Sequence, residues 1–517
     1  MQKYLPLLLA SAVALTAPAH AEMRDKDPNK HPAPLYDEQY RPQFHYSPPV
    51  NFMNDPNGLV YFDGTYHLYF QYNATGITAG NQNWGHATSA DLIHWQNATP
   101  FIAIPSNPAT NDFIYSGSAV VDSNNTSGFF NGIPGGGLVA IYTLAHWPVD
   151  QWQNIAYSLD GGFTYTNYTG NPVINIDDPN FRDPFVFWYP ETQRWVMAIA
   201  LSRQHQVLFY DSPDLKEWRY LSSFGPAGTP GVDYEVPALV HVPVEGTNEK
   251  KWVLLVSINP GAPQGGSATQ YFIGDFDGTT FTPQDPVNRW MEFGKDAYAM
   301  ITYNNLPTDD VVAITWVGNW QYSQQVPTSP WRSAQSVARY LTLRQTADEG
   351  LVLVQQPISL ASLRDKSLFN GPAQIGEKNP LRIPLKKNTS FEFEATISAD
   401  AQQVLNIDLE GPGGEKLTIG YDWGGRHVYV NRGDTEGFEN PYFTDKFSSF
   451  VAPKNGQIKL HALVDRSILE LYVNDGERVA TTVFFMEKPA TELRLSASNG
   501  TVNIQNLSAY TMKSIWR

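Results

Sequence analysis

The sequence predicts an all-β protein, a five-bladed β-propeller followed by a C-terminal β-sandwich. Three observations carry that expectation. Aromatic residues make up 13% of the 517-residue chain, and they sit in short runs that alternate and break at turns, as half-buried strands do. No long segment shows the 3.6-residue period of a helix. Two sequence patterns recur along the first 350 or so residues at intervals near 60, the mark of a repeat architecture.

Taken in order, residues 1–21 read as a secretory signal peptide. Lys3 supplies the positive start, Leu5 to Leu15 the apolar run, and Ala19-His20-Ala21 the small-x-small cleavage site, so the mature chain is expected to begin at Glu22. The run is too short to cross a bilayer, and no later stretch is long enough. A secreted, extracellular protein is the expectation. Residues 22–39 form an N-terminal extension.

Residues 40–355 hold the repeats. One pattern places an aspartate before an aromatic at Asp91, Asp160, Asp214 and Asp277. The other opens each unit with a polar or acidic cluster followed by a β-rich run. These openers are Asn54-Asp55-Pro56-Asn57-Gly58, Tyr115-Ser116-Gly117-Ser118, Arg182-Asp183-Pro184, Tyr234-Glu235-Val236-Pro237 and Lys295-Asp296-Ala297-Tyr298. Within the first unit, Leu59 to Phe62, Asp63-Gly64 and Tyr66 to Tyr72 spell a hairpin. Five units of about four strands each make a five-bladed propeller.

Residues 356–385, with their Gln-Pro, Gly-Pro and Asn-Pro steps, are expected to be a linker. Residues 386–517 return to short alternating runs: Ser390 to Ile397, Val404 to Leu409, Leu417 to Tyr421, Leu463 to Val473, Arg478 to Phe485 and Glu492 to Ser498. Asn474-Asp475-Gly476 is a tight turn. This is the pattern of an antiparallel sandwich. It carries no concentrated set of catalytic groups; packing, self-association as a homodimer and sugar contact are the roles open to it.

Composition excludes several classes. With 35 basic and 51 acidic residues the chain carries a formal charge of −16, a poor binder of nucleic acid or anionic membrane. It has no cysteine, hence no disulfide and no thiolate chemistry. The 11 histidines are scattered without ligand spacing, so no metal site is expected, and there is no His-Glu-x-x-His, phosphate-loop or Gly-x-Ser-x-Gly pattern. Asn-x-Ser/Thr sequons occur at Asn73, Asn97, Asn124, Asn125, Asn167, Asn388, Asn499 and Asn506.

The candidate chemistry follows from the repeat. In a propeller the first strand of each blade lines the central axis, so residues at the same place in different blades converge. Asp55, Asp183 and Glu235 are all at openers, and three carboxyl groups should face one funnel. They cannot all be ionised cheaply. Glycosidic cleavage needs one ionised and one protonated carboxyl group, about 5–5.5 Å apart for retention and roughly 6.5–9.5 Å for inversion.

The blocks Asn54-Asp55-Pro56-Asn57-Gly58, Arg182-Asp183-Pro184 and Glu235-Val236-Pro237 resemble the three signature blocks of glycoside hydrolase family 32. The rest, from about Tyr40 onward, is similar to that family's fungal and yeast β-fructofuranosidases (invertases). Supporting stretches are Trp84-Gly85-His86-Ala87-Thr88-Ser89, Ser257 to Pro263, Tyr271 to Gly278 and Val326 to Ser333. The resemblance implies a retaining double displacement on sucrose or related fructans without metal or organic cofactor. It maps Asp55 to the nucleophile, Glu235 to the acid/base and Asp183 to the transition-state stabiliser, with Arg182 beside it. Asn54, Gln71, Trp84 and Ser116 match positions lining the fructose pocket, and Asn259 and Trp320 match its rim. Three departures stand next to these groups: Phe52 where the family usually has Trp, Val236 where Cys is common, and Ala238 for a usual Gly. They bear on substrate choice and on the balance between water and sugar as acceptor. A fructosyltransferase would share the first step and differ in acceptor. A non-catalytic fructan-binding protein would have no need of all three carboxylates, and a five-bladed inverting arabinan hydrolase would hold them farther apart.

Overall fold

The computed structural model describes residues 36–386 and 390–516. The expected signal peptide, residues 22–35 of the extension and the sequon at Asn388 lie outside the described residues.

Five antiparallel sheets follow one another in chain order, and each begins at one of the openers. Their first strands are Asn51–Phe62, Asp112–Val121, Phe181–Tyr189, Asp233–Pro243 and Tyr298–Thr302. In every sheet the next strands are added outward in sequence, because short polar turns favour hairpins over crossovers. Each first strand packs against the first strand of the following blade, and the fifth packs against the first. The ring therefore closes. Trp331-Arg332, from the fifth unit, latches it by pairing in parallel with Asn51-Phe52 of the first. The hairpin of blade one turns at Asp63-Gly64, with Phe62 paired to Thr65; both turn residues have positive φ, +46° and +80°, the geometry a two-residue hairpin turn requires.

The second domain is a sandwich of two six-stranded sheets. Its core is the alternate inward set of both, including Phe391, Phe393, Ile407, Tyr421, Leu469, Leu471 and Leu495. Two expectations need correcting. The stretch 356–385 contains two strands, Arg364–Ile375 and Leu381–Pro384. Both are edge strands, where proline is tolerated because no ladder donor is lost; Pro372 falls at a break in register between Gly371 and Ala373. Leu463 to Val473 is two strands, Gln457–Asp465 and Ile468–Val473, turned at Arg466, which has φ +55°. Of the described sequons, Asn73 is buried and its amide donates to the Thr78 carbonyl at 2.7 Å, whereas Asn97, Asn124, Asn167, Asn499 and Asn506 are exposed.

The two domains are joined through buried charge. His45 of the propeller side lies 2.9 Å from Asp465 and 3.0 Å from Glu470 of the sandwich. Burial alone would lower the imidazole pKa, but the two carboxylates hold it up at about 9. Arg339 bridges Glu292 at 2.5 Å and Glu470 at 3.0 Å, and Arg432 of the sandwich meets Asp296 of blade five at 2.7 Å.

Candidate active site

Every first strand is bulged at the opener, two residues facing one on its neighbour. Asn54 and Asp55 face Gln71; Tyr115 and Ser116 face Thr143; Asp183 and Pro184 face Ile199; Val236 and Pro237 face Val256; Ala299 and Met300 face Thr315. A bulge bends the strand and re-aims its side chains. Asp183, Val236 and Ala299 are at φ +65°, +46° and +57°, left-handed conformations that cost a non-glycine residue about 1–2 kcal/mol each. Five equivalent kinks thus turn Asp55, Ser116, Asp183, Glu235 and Tyr298 toward one another.

Contacts between blades define the site. Ser116 Oγ donates to Asp55 Oδ2 at 2.8 Å, and Asn54 Nδ2 to Oδ1 at 3.1 Å. The Val236 N–H, next to Glu235, donates to Asp183 Oδ2 at 3.0 Å, and the Asp183 N–H donates to Thr143 Oγ1 at 2.9 Å. Among the described residues Arg182 is the one cation in direct contact with Asp183 and Glu235, while Arg203 meets the neighbouring Asp233 at 2.6 Å. Arg182 lies 3.0 Å from Glu235, 3.5 Å from Asp233 and 3.9 Å from Asp183. Tyr298 Oη donates to Glu235 Oε2.

The electrostatics show that the groups share one space. Burial pushes Asp55 up to about 6, with the charge of Glu235 adding to it and the bonds from Ser116 and Asn54 opposing it. Burial likewise lifts Asp183 to about 7; Arg182 pulls against it, while Glu235 and Asp55 push the same way. Desolvation works against the Arg182 charge, yet Glu235, Asp183 and Asp233 hold its pKa above the usual value. Burial, then the Glu235 charge, keeps Tyr298 protonated well past its ordinary range. Asp55 and Asp183 are buried; the Glu235 side chain is 21% exposed, the most open of the three toward an entering molecule.

The expected lining residues are distributed as follows. Gln71 is buried beside Asp55. Asn57 ties the wall together: in the amide orientation that satisfies both ends, it accepts from Gln71 Nε2 at 2.9 Å and Trp84 Nε1 at 3.2 Å and donates to Ser116 Oγ at 3.2 Å. Asn57 was quoted above only as part of a motif, and Tyr298 only as part of an opener; a buried asparagine inside Asp-Pro-Asn-Gly was the available hint. Trp84 is fully buried, among Tyr69, Ala119 and Tyr142, with its indole N–H 2.9 Å from the Tyr115 carbonyl. It stands directly opposite Gln71 across the sheet and braces the Tyr115-Ser116 bulge. Asn259 pairs opposite Asp233 and is half-buried. Trp320, also half-buried, packs at 4.8 Å on Trp316 and 6.0 Å on Phe52, so Phe52 supports its ring.

A cleft of about 610 Å³ lies elsewhere, between propeller and sandwich, walled by Trp290, Arg289, Glu349, Phe450 and Arg478. Among the described residues two clusters have metal-ligand proximity, Glu392/Glu394/His461 and Glu415/Glu436/Glu487. Both are in the sandwich, and Arg364 already bridges Glu392 and Glu394 in the first.

Carboxyl groups gathered from separate blades around one arginine, with a sandwich attached, define a class of carbohydrate-cleaving architecture. The family models described as the glycosyl hydrolases family 32 N-terminal domain and the family 32 C-terminal region match residues 45–357 and 359–511. The chain belongs to glycoside hydrolase family 32. It is 41% identical to an invertase of Schizosaccharomyces pombe, over 94% of this chain and 87% of the relative, and 40% identical to a levanase of Bacillus subtilis, over 93% and 72%. Among solved structures it resembles the exo-inulinase of Aspergillus awamori (TM-score 0.87, 36% identity, covering 93% and 100%). It also resembles the β-fructofuranosidase of Schwanniomyces occidentalis complexed with fructosyl-erythritol (TM-score 0.86, 36% identity, covering 93% and 99%).

Proposed function

We propose that this chain is an extracellular β-fructofuranosidase that releases terminal β-D-fructofuranosyl residues from sucrose and related fructans with retention. The observation that carries the reading is the coupling of Asp55, Asp183 and Glu235 around Arg182. In the first step an Asp55 oxygen attacks the anomeric carbon of the fructosyl unit as the bond to the leaving oxygen breaks. Glu235, the more accessible group, gives its proton to that oxygen. In the second step Glu235 takes a proton from water, the hydroxide attacks the same carbon, and Asp55 leaves as carboxylate. Asp183, bonded to the backbone beside Glu235, is placed to hold fructose hydroxyls and to stabilise the electron-poor sugar cation. Asn54, Ser116 and Gln71 fix the Asp55 side of the pocket, and Asn259 and Trp320 shape its acceptor side. The leader-like N-terminus and the exposed sequons fit an exported protein.

The test is a product profile on sucrose, inulin and levan at low and high concentration, with Asp55→Asn as control. Free fructose as the main product, and loss of at least about 10⁴-fold in kcat for the variant, are the expected results. Kestose-type products with little free fructose would reassign the acceptor, and an undiminished Asp55→Asn would remove the nucleophile.

A further inference from the structure

The reading above gives the sandwich no part in the chemistry, yet a fully buried guanidinium crosses from it to the start of blade five. We propose that Arg432 is a positioning residue for the acid/base: by fixing Asp296 it sets the opener of the fifth first strand and so holds the Tyr298 hydroxyl against Glu235. This rests on the assignment of Glu235 just made.

The contacts are many and directional. Arg432 Nη1 donates to Asp296 Oδ2 at 2.7 Å, Thr482 Oγ1 at 2.9 Å and the Val483 carbonyl at 2.8 Å; Nη2 donates to Tyr322 Oη at 2.9 Å and Nε to the Thr444 carbonyl at 3.0 Å. The Phe443 ring lies 3.6 Å from the guanidinium carbon. Asp296 is as fully held. Its Oδ2 also accepts from the Val483 N–H at 2.9 Å and Thr482 Oγ1 at 3.1 Å, and its Oδ1 accepts from Tyr322 Oη. Both charged side chains are 0% exposed. Buried ion pairs are a weak source of net stability, but a saturated one permits a single geometry.

One residue, Ala297, separates Asp296 from Tyr298, whose carbonyl accepts from Thr315 Oγ1 at 2.7 Å; the bulge follows at once. The Asp296 carbonyl also accepts from the Gly318 N–H at 3.2 Å, and the neighbouring Lys295 carbonyl accepts from Asn319 Nδ2 at 2.9 Å. The same clamp therefore sets the turn that carries Trp320. Glu235 is faced by Arg182, Tyr298 and, through their charges or hydroxyl, Asp55, Asp183 and Tyr115, with Asp233 beyond Arg182. Of these, Tyr298 is the contact that the sandwich controls.

The experiment uses the full chain and compares Tyr298→Phe, Arg432→Lys, the double variant and Glu235→Gln. Each is measured for the pH profile of kcat/KM on sucrose and for thermal unfolding. The Tyr298 hydroxyl donates to Glu235 Oε2, a bond that favours the charged form of a carboxyl group, so its loss removes that preference. The alkaline limb should move up by about one pH unit, with kcat falling about tenfold. Arg432→Lys keeps the charge and loses the fork; it should move the limb the same way, with KM within about twofold. The double variant should shift no further than Tyr298→Phe, as expected for residues acting in series. An Arg432→Lys profile superimposable on the parent, or additive shifts in the double variant, would overturn the proposal. If Arg432→Lys does not fold, Asp296→Asn gives the same readout with the same two outcomes. Undiminished turnover in Glu235→Gln would instead sink the acid/base assignment and leave the relay without an object.

Discussion

Replacing Asp183 with asparagine separates what the site costs the fold from what it gives the reaction. The carboxyl group is buried, and its pKa is raised from 3.8 to about 7. The native state therefore binds this proton more tightly than the unfolded chain, and stability falls as pH rises from 3.8 through about 7. Roughly three pH units at about 1.36 kcal/mol each give about 4 kcal/mol of destabilisation above pH 7. The amide keeps an oxygen for the Val236 N–H and cannot ionise, so Asp183→Asn should be more stable at pH 8, by several degrees in unfolding temperature for a protein of this size. At pH 5 the cost has accrued only from 3.8, and the gain should be roughly a third as large. The same variant should lose at least about 10²-fold in kcat. Scanning calorimetry at fixed rate at the two pH values, with kcat on sucrose in parallel, reads both. An equal temperature shift at pH 5 and pH 8, or a destabilised variant at pH 8, would refute the claim that this carboxylate is held in the fold against its own desolvation.

Two further outcomes follow from the same geometry. With Asp55 pushed up to about 6, kcat/KM should fall as pH drops through that value, because the protonated carboxyl is no nucleophile; Ser116→Ala removes a donor to the charged form and should move this acid limb upward, and a downward move in the pH–rate profile would contradict it. Gly58→Ala places a Cβ 2.8 Å from the Tyr69 ring and 2.9 Å from the Trp84 ring at φ +52°, which should cost about 3 kcal/mol from strain and overpacking together; an unchanged denaturation midpoint would show that the wall behind the site is slacker than these distances say.

The repeat was legible because its openers are chemically unusual. Clusters such as Arg182-Asp183-Pro184 recur at the same phase of a β-rich unit, and the phase alone predicts that they converge. The bulges were not legible. Asp183, Val236 and Ala299 adopt a glycine-like backbone without being glycine, since the ring of neighbouring blades imposes it. Tyr298 and Asn57 escaped notice for a related reason: each acts through a partner on another strand or blade, and single-chain periodicity contains no such pairing. Trp84 was expected at the pocket from the resemblance alone; it pairs directly opposite Gln71 on the neighbouring strand, a cross-strand match that no single-strand pattern contains. The Gly-Pro and Asn-Pro steps after residue 356 read as a break, although proline on an edge strand interrupts nothing.

These observations point to one tension in the molecule. Three left-handed non-glycine residues and two carboxyl groups with raised pKa are all concentrated at the axis of the propeller, and each is unfavourable to folding there. Bonds between blades at the axis, Ser116 to Asp55 and the Val236 N–H to Asp183, offset part of that cost. Geometry is also imposed from outside the central ring, by the latch of Trp331-Arg332 onto blade one and by a second domain that grips the opener of blade five through Arg432 and Asp296. The sandwich is thus best understood as part of the scaffold that keeps five strained strand beginnings in register, which is why a domain without catalytic groups of its own is bound to the propeller by buried charges that a merely appended module would not need.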